Sequence, residues 1–254
     1  VHGRPVFFVD GDPDGDRKAE AALAEIAREM GFAEVSFQYE PIAAALDYER
    51  QVTREEVALI ADIGGGTSDF SIVRLGPDRH RRADRADDIL ANDGVRIGGT
   101  DFDRELSLRT VMPELGFGSP LKKRGLSVPN GYFLDLATWS SINRLYEPKV
   151  IRDLHELQRE AVRPELLGRL VRLVEDHRGH TLAMEVEAAK IALAGVAETA
   201  VSLGFVETGL AVPVTRADLV AHTRGLAERI AGRIAACLKQ AGLTADAGDA
   251  GFLT

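Results

Sequence analysis

The stretch Val57-Ala-Leu-Ile-Ala-Asp62-Ile-Gly64-Gly65-Gly66-Thr67-Ser-Asp69-Phe-Ser-Ile-Val-Arg-Leu75 sets two apolar, β-rich runs on either side of a glycine triplet. That is the pattern of two strands joined by a tight turn. Asp62 closes the first run and Asp69 opens the second, so a hairpin brings both carboxylates to its tip. Gly64, Gly65 and Gly66 lack a Cβ, which lets their backbone N–H groups approach an anion closely. Thr67 adds a hydroxyl at the same place. Amide donors, a hydroxyl and two carboxylates at one turn suit a magnesium–polyphosphate complex, with the amides on phosphate oxygens and the carboxylates on the cation through its waters. The same residues would also serve an ordinary glycine-rich hairpin with solvated aspartates.

The totals narrow the classes. A chain of 254 residues can bury a substantial core in one large domain or two modest ones. A formal net charge of −9 argues against general nucleic-acid binding, which needs a basic surface. Cys237 is the single cysteine, so no disulfide framework or thiolate zinc site is available, as expected of a reducing cytoplasm. No apolar run reaches about 18 residues and no signal-like N-terminus is present, so no membrane association is expected. Both ends read as interrupted elements. Arg4–Asp10 reads as a core strand almost at residue one, and Ala250–Thr254 as a strand just beginning, so an excised fragment is expected.

Along the chain, Gly11–Gly15 reads as a loop, followed by a helix to Met30 with Gly31 as its stop. Glu34–Tyr39 reads as a short strand. In Glu40-Pro-Ile-Ala-Ala-Ala-Leu-Asp-Tyr48, Pro41 suits a first helical position and the alanines allow close packing. Glu40 either complements that helix N-terminus or faces a cleft. Gly76–Asp88, rich in charge, reads as a solvated loop. Gly98-Gly99 precede a helix with Thr100 and Asp103 at capping-box spacing, a candidate phosphate cradle or a plain turn. Residues 112–147 read as irregular, with Trp139 and Tyr132 anchoring a satellite core. Residues 149–176 are helical with a break at Pro164. His177 and His180 lack an evident third metal ligand. Thr181–Leu203 reads as a helix with Glu187 and Lys190 one turn apart, a spacing common for surface ion pairs. Phe205–Val214 reads as a hairpin, and Thr215 with Asp218 caps a long helix ending at Gly242. No Walker lysine loop or nucleophile elbow is present, so covalent catalysis has no support.

Taken together, these stretches resemble the ATPase domain of the DnaK-type heat-shock chaperones, in the superfamily that includes actin and sugar kinases. Asp62-Ile-Gly-Gly-Gly-Thr-Ser-Asp-Phe-Ser71 is similar to the superfamily's second phosphate motif. Glu40–Tyr48 resembles the segment linking the two lobes. Gly98-Gly-Thr-Asp-Phe-Asp103 resembles Gly-Gly-Glu-Asp-Phe-Asp, and Glu187-Ala-Ala-Lys190-Ile-Ala-Leu-Ala194 resembles the adenosine-contacting helix Glu-Arg-Ala-Lys-Arg-Thr-Leu-Ser. Short DnaK-like bacterial proteins such as YegD share the Phe-Gln-Tyr-Glu-Pro stretch and a long divergent insert.

The resemblance implies an α/β, ribonuclease H-like or actin-like ATPase fold: a mixed sheet, helices on both faces and an inserted helical subdomain. It implies residues 1–53 as the remainder of a first lobe, 54–106 and 205–254 as the second lobe's sheet, and 107–204 as the insert. ATP or ADP with Mg2+ are the implied ligands. By position, Asp62 and Asp69 would organise magnesium and the attacking water, and Thr67 with Gly64, Gly65 and Gly66 would bind phosphates. Glu40 would order the metal's waters, Gly98 and Gly99 would touch phosphates, and Glu187 and Lys190 would lie along the ribose. Pro5 and Arg17 would correspond to an interlobe relay. The implied activity is slow ATP hydrolysis by the full-length protein, with this stretch alone inactive, and the implied partners are client polypeptides or co-chaperones. Ile191 and Ala194 depart from the expected arginine and serine, losing cation–π stacking and one hydrogen bond. Two other classes share the hairpin: an MreB-like filament protein, and a nucleotide-binding adaptor without turnover.

Overall fold

The computed structural model describes residues 1–253 apart from His80, Ala83, Asp84 and Ala245, Asp246 and Ala247. The chain forms two compact units, one of Val1–Gly99 with Leu226–Thr254 and the other of Thr100–Gly225. Among the described residues, no helix is long and apolar enough to cross a membrane.

The first unit is built on a mixed four-stranded sheet. Strands β3 (Glu56–Ile63), β4 (Ser68–Leu75) and β5 (Ile89–Val95) form an antiparallel meander, and β8 (Ala250–Leu253) runs parallel to β3 on its other side. The side-chain alternation of β3 splits its apolar residues between two helices. Ala58 and Ile60, with Val73 and Leu75, pack against Ile42 and Ala45 of α2 (Glu40–Tyr48). Val57, Leu59 and Ala61 join Phe70, Ile72 and Ala91 in a cluster with Ile230, Ile234, Cys237 and Leu238 of α8 (Arg216–Gln240). The sheet is therefore covered on both faces, and the fold is the mixed α/β arrangement expected.

At the N-terminus the expected strand over Arg4–Asp10 is not formed. A shorter β1 (His2–Arg4) pairs in parallel with β2 (Phe37–Tyr39). Pro5 has no N–H for a ladder, and Val6, itself buried, donates its N–H to the Asp69 side chain instead. Helix α1 (Pro13–Glu29) starts inside the expected loop, because Asp12 Oδ1 accepts the amides of Asp14 and Gly15 as an N-cap. Gly31, at φ 98°, ends it as expected.

The charged segment after β4 is more than a solvated loop. Arg85 donates to both carboxylate oxygens of Glu49 at 2.9 Å, and Arg79 and Arg85 both bind Asp88. Glu49 and Asp88 are buried, so these arginines tie the segment to the end of α2.

The second unit is largely helical. Helix α3 (Gly99–Leu106) runs into a π turn at Ser107–Val111, and α4 (Gly131–Leu136), α5 (Pro148–Glu160), α6 (Pro164–Glu175) and α7 (Gly179–Gly195) follow. One core joins Met112, Leu115, Phe133, Leu167, Leu170, Leu182 and Val186. The region from 112 to 147 is thus more regular than its prolines suggest, with 3-10 turns at Met112–Leu115 and Trp139–Tyr146. Trp139 is no core anchor: it is 53% exposed and sits edge-on to His180. Helix α7 stops at Gly195, and the remainder of the expected helix is β6 (Glu198–Ser202), paired with β7 (Ala211–Thr215). The Thr215–Asp218 box forms as expected, with Thr215 N–H donating to Asp218 Oδ2 at 3.1 Å and Asp218 N–H to Thr215 Oγ1 at 3.0 Å.

Candidate functional site

The β3–β4 register pairs Asp62 with Asp69 and Ile63 with Ser68, leaving Gly64–Thr67 as the turn. Gly64 N–H donates to Thr67 O at 2.9 Å and closes it. The turn is seated on the segment that follows β5. Gly99 N–H donates to Gly64 O at 2.9 Å, and Ser68 Oγ donates to Ile97 O at 2.7 Å. Gly98 lies so close to the Gly65–Gly66 peptide that a Cβ would overlap it. Two glycine-rich segments 34 positions apart in the chain, centred on Gly65 and Gly99, are thereby fused into one rigid tip.

Asp69 is 2% exposed. Its Oδ1 accepts the Val6 N–H at 2.7 Å, and the Thr67 hydroxyl donates to the same carboxyl. Gly94, opposite Asp69 in the ladder, leaves room for it: a Cβ there would stand 2.6 Å from Oδ1. Burial, with smaller contributions from the charges of Asp62 and Glu40, raises the Asp69 carboxyl to about 6 against the pull of those two donors. The charges of Asp62 and Glu40 thus reach the Asp69 carboxyl beside the glycine tip. Such a set is short of positive charge and suits a cation. Among the described residues no three His, Cys, Asp or Glu side chains are grouped to ligate one ion directly.

Part of the glycine-rich tip's hydrogen bonding is used by the fold itself. The amides of Gly64 and Gly99 are bonded within the fold, and Gly64, Gly65 and Gly66 are all exposed at the tip. The sequence pattern does not show which glycine amides the fold itself uses. It also does not signal Val6 or Gly94, although the pairing of Gly94 opposite Asp69 follows once the β4–β5 register is known.

In the second unit, Lys190 reaches a carboxylate far from its own helical turn. Its Nζ donates to Asp103 Oδ2 at 2.9 Å, across 87 residues. Burial raises the Asp103 carboxyl, Lys190 opposes that shift and the nearby Glu187 adds to it. Asp103, read in the sequence as a capping residue, is a partner of Lys190. Glu187 is exposed on α7.

Comparison with known proteins agrees with this architecture. A family model described as MreB/Mbl protein matches residues 13–108, from α1 through the hairpin to the end of α3. A "Chaperone protein HscA homolog" of Pseudoalteromonas atlantica is 32% identical over 121 residues, covering 47% of this chain and 17% of that protein. A "Chaperone protein dnaK" of Emiliania huxleyi is 35% identical over 103 residues, covering 40% and 14%. An HscA homolog of Vibrio campbellii is 31% identical over 139 residues, covering 54% and 19%. The chain thus spans less than a fifth of the length of these relatives. By sequence, it is a distant, partial homologue of the DnaK- and HscA-type chaperones and of MreB, in the actin-like ATPase superfamily, and its mixed α/β sheet is consistent with that superfamily's fold.

Proposed function

We propose that the natural polypeptide carrying this sequence is a DnaK-like ATPase, akin to the short bacterial proteins typified by YegD. In this reading it binds Mg–ATP at the β3–β4 tip and hydrolyses it slowly to drive closure of two lobes. Residues 1–53 would belong to the first lobe, 54–106 and 205–254 to the second, and 107–204 to an insert. The supporting observation is the buried Asp69, held by the Val6 amide and the Thr67 hydroxyl beside Asp62 and Glu40 at a glycine tip.

Asp62 and Asp69 would hold the magnesium through water, with Glu40 ordering that shell. The ion would supply charge neutralisation on the phosphates. Gly65, Gly66 and Gly98 would line the phosphates, and the Thr67 hydroxyl would fix the Asp69 carboxyl. Asp62, less enclosed than Asp69, would orient the attacking water. Phosphoryl transfer to water asks for this positioning and charge stabilisation rather than a protein nucleophile. By resemblance alone, Glu187 and Lys190 are proposed as ribose contacts. Client polypeptides and co-chaperones are proposed partners on the same ground.

The match of residues 13–108 to the MreB/Mbl model favours a second reading, a nucleotide-dependent filament. Steady-state ATP turnover of the natural polypeptide tests the site. Asp62→Asn should lower it about a hundredfold or more with an unchanged melting curve, whereas turnover within a factor of two of the unaltered protein rules the hairpin out as the catalytic site. Sedimentation that depends on ATP would transfer the assignment to the filament reading.

A further inference from the structure

Arg4 is buried, and every nitrogen of its guanidinium donates a hydrogen bond. It is the last residue of β1, paired in register with Tyr39 of β2. Its side chain folds back over the chain that follows, 4.7 Å from the Phe8 ring and 5.2 Å from the Tyr39 ring. Nε donates to Pro5 O at 3.0 Å and Nη2 to Val6 O at 3.2 Å. The same guanidinium binds Asp16 and Glu20, which lie one turn apart on α1. Asp16 Oδ1 in turn accepts the Phe8 N–H. One arginine and its acidic partner thus hold the segment Pro5–Phe8 at two carbonyls and one amide.

One of those bonds leads to the candidate site. Pro5 O and the Val6 N–H belong to the same planar peptide unit. Arg4 Nε holds the carbonyl end of that unit, and Asp69 Oδ1 accepts from its N–H end at 2.7 Å. Fixing one end of a rigid plane limits where the other end can point. Asp69 is buried, so a misdirected Val6 N–H would leave its carboxyl short of a donor where water is scarce. Asp16 and Glu20 balance the charge of Arg4, so its hold on the peptide is one of directed hydrogen bonds. Lysine cannot reproduce that hold. An ammonium is a point charge on a flexible stem, and it cannot serve two carbonyls and two carboxylates from fixed directions.

We propose that Arg4 is a positioning residue of the candidate site, which sets the plane of the Pro5–Val6 peptide and so aims the Val6 N–H at Asp69. The bonds that carry this lie within the first unit. The proposal rests on the ATPase reading only for its consequence in turnover.

In the unaltered 254-residue protein, scalar couplings across hydrogen bonds should link Arg4 Nε to the Pro5 carbonyl carbon, and Val6 N to the Asp69 carboxyl carbon. Arg4→Lys keeps the charge and removes the fork. It should speed hydrogen exchange of the Val6 amide about tenfold or more, the effect of losing one hydrogen bond to a charged group. Amides of the β3–β4 ladder should stay within about twofold of their unaltered rates. In the natural polypeptide, Arg4→Lys should lower kcat for ATP about tenfold and leave KM within about twofold. Absence of either coupling beside resolved ladder couplings would overturn the assignment. So would unchanged Val6 exchange in Arg4→Lys, or Val6 and ladder amides accelerating together, which marks a merely structural role. An unchanged kcat in Arg4→Lys, where Asp62→Asn does lower turnover, would overturn it as well. If Asp62→Asn leaves turnover intact, the ATPase reading fails, and the couplings and exchange rates decide on Arg4 by themselves.

Discussion

Gly98 rests against the peptide that joins Gly65 to Gly66, at a separation that leaves no room for a side chain on residue 98. The neighbouring atoms are backbone, so they cannot turn away as a flexible side chain would. Gly98→Ala should therefore displace the hairpin tip and cost roughly 1–3 kcal/mol, the usual range for forcing a methyl into a filled space. Gly66→Ala, which meets nothing within 4 Å, serves as the contrast and should stay within about 0.5 kcal/mol. Urea denaturation of both variants reads the difference; equal midpoints would contradict the tight seating of the tip.

The Lys190–Asp103 pair is mostly enclosed, with side-chain exposures of 20% and 16%. Removing Lys190 alone leaves the Asp103 carboxyl with burial and Glu187 both disfavouring its charge. Lys190→Met should then lower stability by about 1–3 kcal/mol, and adding Asp103→Asn should recover part of that loss. A double-mutant cycle in urea gives the coupling. Simple additivity of the two losses would show that the pair contributes nothing.

Two carboxyls of the first unit make stability sensitive to acid. Burial pushes Asp16 and Asp88 up, but hydrogen bonds from Arg4 to Asp16, and from Arg85 and Arg79 to Asp88, outweigh it and hold both below 3.8. A carboxyl lowered in the folded state gives stability that is fully present above its unfolded value. That stability is lost as pH falls from about 4 through the folded value. Melting temperature should accordingly drop steeply below about pH 4. Asp88→Asn should make the drop shallower while lowering the plateau at neutral pH. An unchanged acid limb in that variant would remove Asp88 from the account.

Nucleotide affinity of the 254-residue chain should be low. The Gly64 and Gly99 amides are already bonded within the fold, and Ile191 and Ala194 supply no charged or hydroxyl contact. Each charge-assisted hydrogen bond lost removes roughly 1.5–3 kcal/mol, which moves a micromolar site towards the millimolar range. Calorimetric titration with Mg–ATP should show a dissociation constant above about 100 μM. Micromolar binding would mean that the remaining donors suffice.

What was legible in the sequence was local. The Asp62–Asp69 hairpin, the Pro41 helix start, the Gly31 stop and the Thr215–Asp218 cap each lie within a few residues of one another, so spacing alone specifies them. What escaped depends on distant partners. Val6 to Val9 reads as a strand until Asp69, 63 residues away, takes the Val6 amide. Arg79 and Arg85 look like solvent-facing charge until Glu49 is placed beside Arg85. Lys190 has a carboxylate one turn away in Glu187, and nothing in that spacing signals its bond to Asp103, 87 residues away. The apolar run after Ala192 continues past Gly195 in composition, and pairing with β7 turns it into a strand. At the candidate site the residue types could be read, but the bonds that the Gly64 and Gly99 amides make within the fold could not.

The parallel pairing of β3 with β8 also fixes an order of assembly. Val57 N–H donates to Asp249 Oδ2 across 192 residues, with the whole second unit lying between them in sequence. Closing so long a loop carries an entropy cost that nearby contacts do not share, and long-range parallel pairing is slow. The β3–β4–β5 meander and the second unit can each form from contiguous chain as it emerges during synthesis. Strand β8 can dock on β3 only after residue 250 has been made. Until then the β3 edge presents unpaired backbone groups that are open to wrong pairing.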